Sequence, residues 1–185
     1  MEINNMQKIL MVVGSLRKDS FNKTVAEQIS TQLVAQGAEV TFANIADLPL
    51  INQDIEFPAP SSVMTFREQV QAADGLWIVT PEYNEMIPGG LKNALDWLSR
   101  PTEAGVFGAP DFIMNKPVML TGAGGKKAAQ VGLAHLKTLL TFMGLKPNDN
   151  LVGLQIPTSA FMTGKFDLDS EQRAVITQQV TEYLA

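Results

Sequence analysis

The sequence predicts an α/β protein, a three-layer sandwich in which helices cover both faces of a five-stranded parallel sheet in the order 2-1-3-4-5. Two observations carry that reading. Short apolar runs alternate along the chain with stretches of helical periodicity, the pattern of strands joined by crossover helices. The best-defined run, Gly75-Leu-Trp-Ile-Val-Thr80, is continuously apolar, which suits a strand covered on both sides. At 185 residues the chain is long enough to bury a full core, and residues 1–185 read as a single domain without repeats or low-complexity segments.

The elements follow in order. Strand one is Ile9 to Val13. The helix after it carries Phe21, Val25, Ile29 and Leu33 on one stripe and ends at Gly37. Glu39 to Ala43 is strand two. Residues 47–60, with Pro49, Pro58 and Pro60, form a long loop, and a helix over 61–72 starts at a Ser61 or Ser62 cap. Gly75 to Thr80 is strand three. The next helix has Pro88 at its start, a favoured place for proline, and Leu91, Ala94, Leu95 and Leu98 on one face. Residues 101–115 are loop and Pro117 to Thr121 is strand four. A long helix over 126–143 closes at Gly144, Leu151 to Ile156 is strand five, and 170–184 is a final helix. Five strands so interleaved match the flavodoxin-like arrangement. There the sheet reverses direction between strands one and three, and ligands bind beyond the carboxyl ends of those strands.

Composition narrows the function. A formal charge of −5, with Lys and Arg scattered, argues against a nucleic-acid surface. The absence of cysteine excludes disulfides, thiolate metal sites and cysteine nucleophiles, and the lone His135 assembles no multi-histidine centre. No run approaches the roughly 20 apolar residues of a membrane span, so a cytoplasmic location is expected.

Two loops follow strands one and three and so share the switch-point crevice. In Gly14-Ser-Leu-Arg-Lys-Asp-Ser-Phe-Asn22, the residues Ser15, Ser20 and Asn22 supply short polar groups and Arg17 a forked cation. The helix from Phe21 adds its N-terminal dipole, so the loop suits a phosphate. The alternative is a plain turn in which Ser20 only caps the helix. A dinucleotide fingerprint is missing after Gly14, and Thr121-Gly-Ala-Gly-Gly-Lys126 lacks the leading glycine and trailing hydroxyl of a Walker loop. A mononucleotide held at one phosphate fits better than NAD or ATP. The second loop, Pro81-Glu-Tyr-Asn84, lies where a flat heterocycle would rest, with backbone amides and Asn84 facing its rim. Together the loops point to flavin mononucleotide (FMN). Thr121 and Gly122, opening the glycine loop after strand four, are further candidates for close approach to the ring, against the alternative of a permissive helix-starting turn. His135, among leucines, reads as a partly buried structural residue, Trp77 and Trp97 as core, and Arg100 as a possible partner for a nicotinamide phosphate.

Ser15-Leu-Arg-Lys-Asp-Ser-Phe-Asn22 and Pro81-Glu-Tyr-Asn84, with the following Pro-Gly-Gly-Leu-Lys-Asn-Ala-Leu-Asp-Trp97, closely resemble the NADPH-dependent FMN reductase family of quinone, azo-dye and chromate reductases. The resemblance implies FMN with Ser15, Arg17, Ser20, Phe21 and Asn22 around its phosphate and Pro81, Glu82, Tyr83 and Asn84 at its ring. It also implies a homodimer or homotetramer. Family members often carry serine two residues after the Asn, where this chain has Met86. The implied activity passes hydride from NADPH or NADH through FMN to small-molecule acceptors such as quinones, azo dyes, flavins or metal oxyanions, with no catalytic acid, base or nucleophile from the chain. The rival is an FMN-binding electron carrier with no NAD(P)H activity of its own. An acidic surface suits such a carrier, but Ser-Leu-Arg replaces the Thr/Ser-Gly-rich loop of flavodoxins.

Overall fold

A computed structural model describes residues 6–185. Strand β1 (Lys8–Val13) leads to helix α1 (Phe21–Ala35) and β2 (Glu39–Phe42). Helix α2 (Ser61–Ala72), β3 (Gly75–Thr80) and α3 (Gly89–Ser99) follow. The chain continues through β4 (Pro117–Gly124), α4 (Gln130–Phe142), β5 (Lys146–Pro147), β6 (Val152–Gln155), α5 (Thr158–Thr163) and α6 (Ser170–Leu184). All pairings are parallel in the order β2-β1-β3-β4, with β5 and β6 both against β4. The flavodoxin-like order is therefore present, with its fifth strand in two pieces. After Pro147 the Asn148 N–H still donates to the Val118 carbonyl at 2.8 Å, and the chain then leaves the sheet and returns at Val152 beside Thr121.

The strands alternate their side chains between two cores. Leu10, Val12, Leu76, Ile78, Val118 and Leu120 face α2, α3 and α4. Ile9, Met11, Trp77, Val79, Met119 and Val152 face α1 and α6. Every residue of β3 is buried, as its unbroken apolar run requires. Both tryptophans are core residues. The Trp77 Nε1–H donates to Thr121 Oγ1 at 2.9 Å, and the Trp97 Nε1–H to the Pro49 carbonyl at 2.7 Å.

Two helix starts and one further helix differ from expectation. The residue capping α2 is Pro60, and Ser61 is already helical. Helix α4 starts at Gln130 rather than residue 126, because Ala128 and Ala129 take φ of 47° and 58°, left-handed values no right-handed helix contains. The segment after β6 holds a short helix, α5, that its lack of periodicity hid. The 47–60 loop packs on α3, where Asn93 accepts from the Ile51 N–H at 2.8 Å and donates to the Pro49 carbonyl at 2.9 Å. At its far end the buried Glu56 takes a bidentate pair of bonds from Arg100, at 2.7 and 3.0 Å. Arg100 is therefore a tie for this loop on the α3 flank, remote from the ring loop, and the nicotinamide role considered for it is not where the structure places it. No helix of the described residues is long and apolar enough to cross a membrane.

Candidate functional site

Beyond the carboxyl ends of β1, β3, β4 and β6 lies a crevice of about 240 Å³. Ser15, Arg17, Ser20, Phe21 and Asn22 form one wall. Pro81, Glu82 and Tyr83 form another, Ala123 to Gly125 lie between them, and Ile156 and Phe161 close the far side. The loops join because Gly14 sits tight on β3. Its N–H donates to the Val79 carbonyl at 2.8 Å, and a Cβ there would fall 2.5 Å from Thr80 Oγ1.

The phosphate-loop wall presents unused donors. Ser20 is the N-cap residue of α1 in position, yet its side chain makes no capping bond, and the N–H groups of Phe21, Asn22 and Lys23 have no partner among the described residues. A plain capped turn would have satisfied at least one of them. This uncapped helix start, with the Ser15 and Ser20 hydroxyls and the Arg17 guanidinium on the same crevice, is the donor set a phosphate dianion takes. Arg17 is held by its own loop, donating to the Asp19 carbonyl and lying 4.8 Å over the Phe21 ring. Phe21 in turn meets Phe161 and Phe166 edge to face.

Asn22 does something other than expected. Its buried side chain makes both bonds of a backbone amide, Oδ1 accepting from the Ala123 N–H at 2.9 Å and Nδ2 donating to the Ala123 carbonyl at 3.0 Å. The amide thus clamps the phosphate loop to the glycine loop, leaving only the Asn22 backbone N–H for a ligand.

The ring loop is a tight hairpin. The Tyr83 N–H donates to the Met86 carbonyl at 2.9 Å, and the return bond is 3.1 Å. Asn84 and Glu85 between them have φ of 54° and 63°, the left-handed pair of a type I′ turn. Such a turn ordinarily has glycine second, so Glu85 holds a conformation that costs on the order of 1 kcal/mol. Two contacts fasten it, one to the turn before α4 and one to α4 itself. Glu85 pairs with Lys127, and His135 Nδ1 lies 3.0 Å from the Glu85 carbonyl. Lys127 holds the Glu85 carboxyl below its usual range, and Glu85 raises Lys127. His135 is accordingly exposed, not partly buried. The Glu82 carboxylate accepts from the Gly132 N–H at 2.7 Å, so it caps α4, whose own N-cap residue, Ala129, has no side chain to do so. With these side chains occupied, the free donors on this side of the crevice, among the described residues, are the backbone N–H groups of Glu82 and Gly125. The Asn84 side chain lies exposed at the hairpin tip and does not line the crevice.

Two expected residues fall elsewhere. Thr121 is fully buried beneath the sheet, its hydroxyl accepting from Trp77 and donating to Gln179 Oε1 at 2.7 Å. Gly122 packs under α4, where a Cβ would come within 2.9 Å of Ala129 Cβ. The crevice residues of this loop are Ala123, Gly124 and Gly125, because β4 runs three residues past the expected strand end and carries the turn outward with it. Ile156 and Phe161 were missed, since they follow a strand whose continuation showed no periodicity. The exposed aromatic at Phe161, just past a strand end, was the available signal.

Comparisons with known proteins agree on one family. A family profile described as NADPH-dependent FMN reductase matches residues 7–156. A 2-hydroxy-1,4-benzoquinone reductase of Burkholderia is 43% identical over 75% of this chain and 72% of its own length. An NAD(P)H-dependent FMN reductase of Pseudomonas aeruginosa is 38% identical over 94% of this chain and 91% of its own length. Among solved structures, the flavoenzyme NAD(P)H:(acceptor) oxidoreductase FerB of Paracoccus denitrificans superposes with a TM-score of 0.82 at 28% identity, covering 97% of this chain and 96% of that one. An archaeal flavodoxin shares the fold at a TM-score of 0.56.

Proposed function

Since this chain belongs to the NADPH-dependent FMN reductase family, we propose that its crevice holds FMN and that it passes hydride from NAD(P)H through FMN to quinones or similar small-molecule acceptors. The observation carrying the site assignment is the uncapped start of α1 facing the same crevice as Ser15, Arg17 and Ser20. When bound, FMN supplies a centre that accepts hydride and later delivers two electrons.

The residues act by position. Arg17 and the N–H groups of Phe21, Asn22 and Lys23 neutralise the phosphate, and the Phe21 ring keeps the guanidinium in place. Asn22 fixes the spacing between phosphate and glycine loops. The Glu82 and Gly125 N–H groups offer donors to the polar rim of the ring, while Pro81 and the half-exposed Tyr83 shape the wall beside it. No proton transfer is assigned to a side chain. The open mouth leaves room for a nicotinamide and an acceptor to use one place in turn.

The reading extends to one domain over residues 1–185 in the cytoplasm, assembled as a homodimer or homotetramer. Phe107 and Phe142, 94% and 88% exposed, line one cleft between α3, α4 and the 101–110 loop and support self-association there. The test is to compare FMN with riboflavin, which lacks the phosphate. FMN should restore NADPH oxidation by a benzoquinone to flavin-free protein, and riboflavin at equal concentration should not. Equal turnover with both would overturn the phosphate assignment, and no turnover with FMN would overturn the reductase.

A further inference from the structure

On the other side of the phosphate loop from the ring loop lies a second groove, of about 430 Å³. It runs between residues 13–18, the start of α1 and the turn after β2. Its size is that of a small-molecule site. Ser15 and Arg17 line both hollows, so the groove continues the crevice across the crest of the loop. No residue of the ring loop or glycine loop reaches it, so an FMN seated in the crevice does not fill it.

Its lining has two parts. Leu16 and Phe42, 55% and 41% exposed, and the buried Ile45 give an apolar slot. Arg17, Lys18 and Lys23 edge it, against Glu27 as the acid among the lining residues. That is three cations to one carboxylate in a chain whose net charge is −5. The slot is held open from below. Leu16 leans on the start of α3, where a Cβ on Gly90 would lie 2.9 Å from it. On the opposite wall, Asn44 shapes the turn by accepting from the Ala46 N–H at 3.1 Å and donating to Asp47 at 2.6 Å.

An apolar slot bordered by cations matches a purine carrying phosphates. A quinone has no phosphate to engage the cations. We infer that this groove binds the adenosine diphosphate half of the pyridine-dinucleotide cosubstrate, which reaches over the Leu16–Arg17 crest to place its nicotinamide at the flavin crevice. The inference rests on the NAD(P)H-dependent reading above and adds where the dinucleotide's distal half is held.

The experiment titrates ADP, by calorimetry, into the FMN-loaded protein and into Lys18→Ala and Phe42→Ala variants. ADP should bind the parent protein, with about a tenfold loss in Lys18→Ala and a smaller loss in Phe42→Ala. FMN retention should match the parent in both. In turnover, the lysine variant should raise KM for NADH by about the same factor while kcat holds. The rate with 1-benzyl-1,4-dihydronicotinamide, which carries neither purine nor phosphate, should stay unchanged. ADP that fails to bind the parent, or binds the variants equally well, overturns the groove. So does an equal loss of rate with the phosphate-free hydride donor. If FMN is not reduced by any dihydronicotinamide, the reductase reading falls by that result, and the ADP titration still reports on the groove separately.

Discussion

The phosphate loop and the ring loop leave the same sheet edge, yet they use their side chains in opposite ways. In the phosphate loop the polar groups of Ser15, Arg17 and Ser20 stay available on the crevice, and the helix start behind them is left uncapped. In the ring loop Glu82 caps α4 and Glu85 pairs with Lys127, so the donors left for a ligand are backbone N–H groups. A compact charged group needs charge and many donors, whereas the edge of a flat ring needs a few fixed donors on a stiff frame. The motif residues of the first loop are therefore left free for a ligand, and those of the second build the frame.

Substitutions can break or sharpen that contrast. The largest effect belongs to the residue that joins the loops. Asn22→Ala strands the buried N–H and carbonyl of Ala123 and should cost about 3 kcal/mol of stability, read in urea denaturation of the flavin-free protein. Arg17→Ala should leave the denaturation midpoint unchanged and weaken FMN binding by about 1.5–3 kcal/mol, measured by fluorescence titration. If Arg17→Ala retained full FMN affinity, the loop would lose its binding role. Glu82→Ala should do the reverse of Arg17→Ala, costing about 1 kcal/mol of stability through loss of the α4 cap. It should also shift the visible flavin spectrum while phosphate-end affinity holds. An unmoved spectrum and stability would mean that the frame does not depend on this carboxylate.

Away from the crevice, Arg100→Ala leaves the buried Glu56 without its bidentate partner and should cost about 2 kcal/mol, less than a fully buried pair because Arg100 is partly exposed. The bond from Arg100 holds the Glu56 carboxyl below its unfolded value. Its contribution is therefore complete above the ordinary carboxylate range and is lost as pH falls through the lowered folded value. Stability between neutral pH and pH 3 should consequently fall more steeply in the parent than in Glu56→Gln. Lys127→Met is the smallest case. Its pair with Glu85 is exposed, and the melting temperature should not move measurably.

Much of this was legible in the chain because the central strands β1, β3 and β4 are buried on both faces and leave apolar runs, and five strands with interleaved helices admit few arrangements. Ser15, Arg17 and Ser20 were legible as crevice residues because they stand in the loop that follows strand one, at the switch point of the sheet. Asn22 and Glu82 were placed at the site correctly but in the wrong part. Whether an amide or carboxylate meets a ligand or a neighbouring loop depends on a partner about 100 positions away for Asn22 and 50 for Glu82, which local pattern does not carry. The exchange of Thr121 and Gly122 for Ala123, Gly124 and Gly125 has the same origin. A strand's end is set by its neighbours' register, and β6 holds β4 in the sheet as far as Gly124.

The central claim is that FMN held in this crevice is reduced by NAD(P)H and reoxidised by an acceptor. The most direct measurement is an anaerobic visible spectrum of the FMN-loaded protein, before and after NADPH or NADH and then after a simple quinone. The flavin band should bleach on adding the dinucleotide and return with the quinone. A bound flavin that neither NADPH nor NADH bleaches would contradict the account and leave an electron carrier in its place.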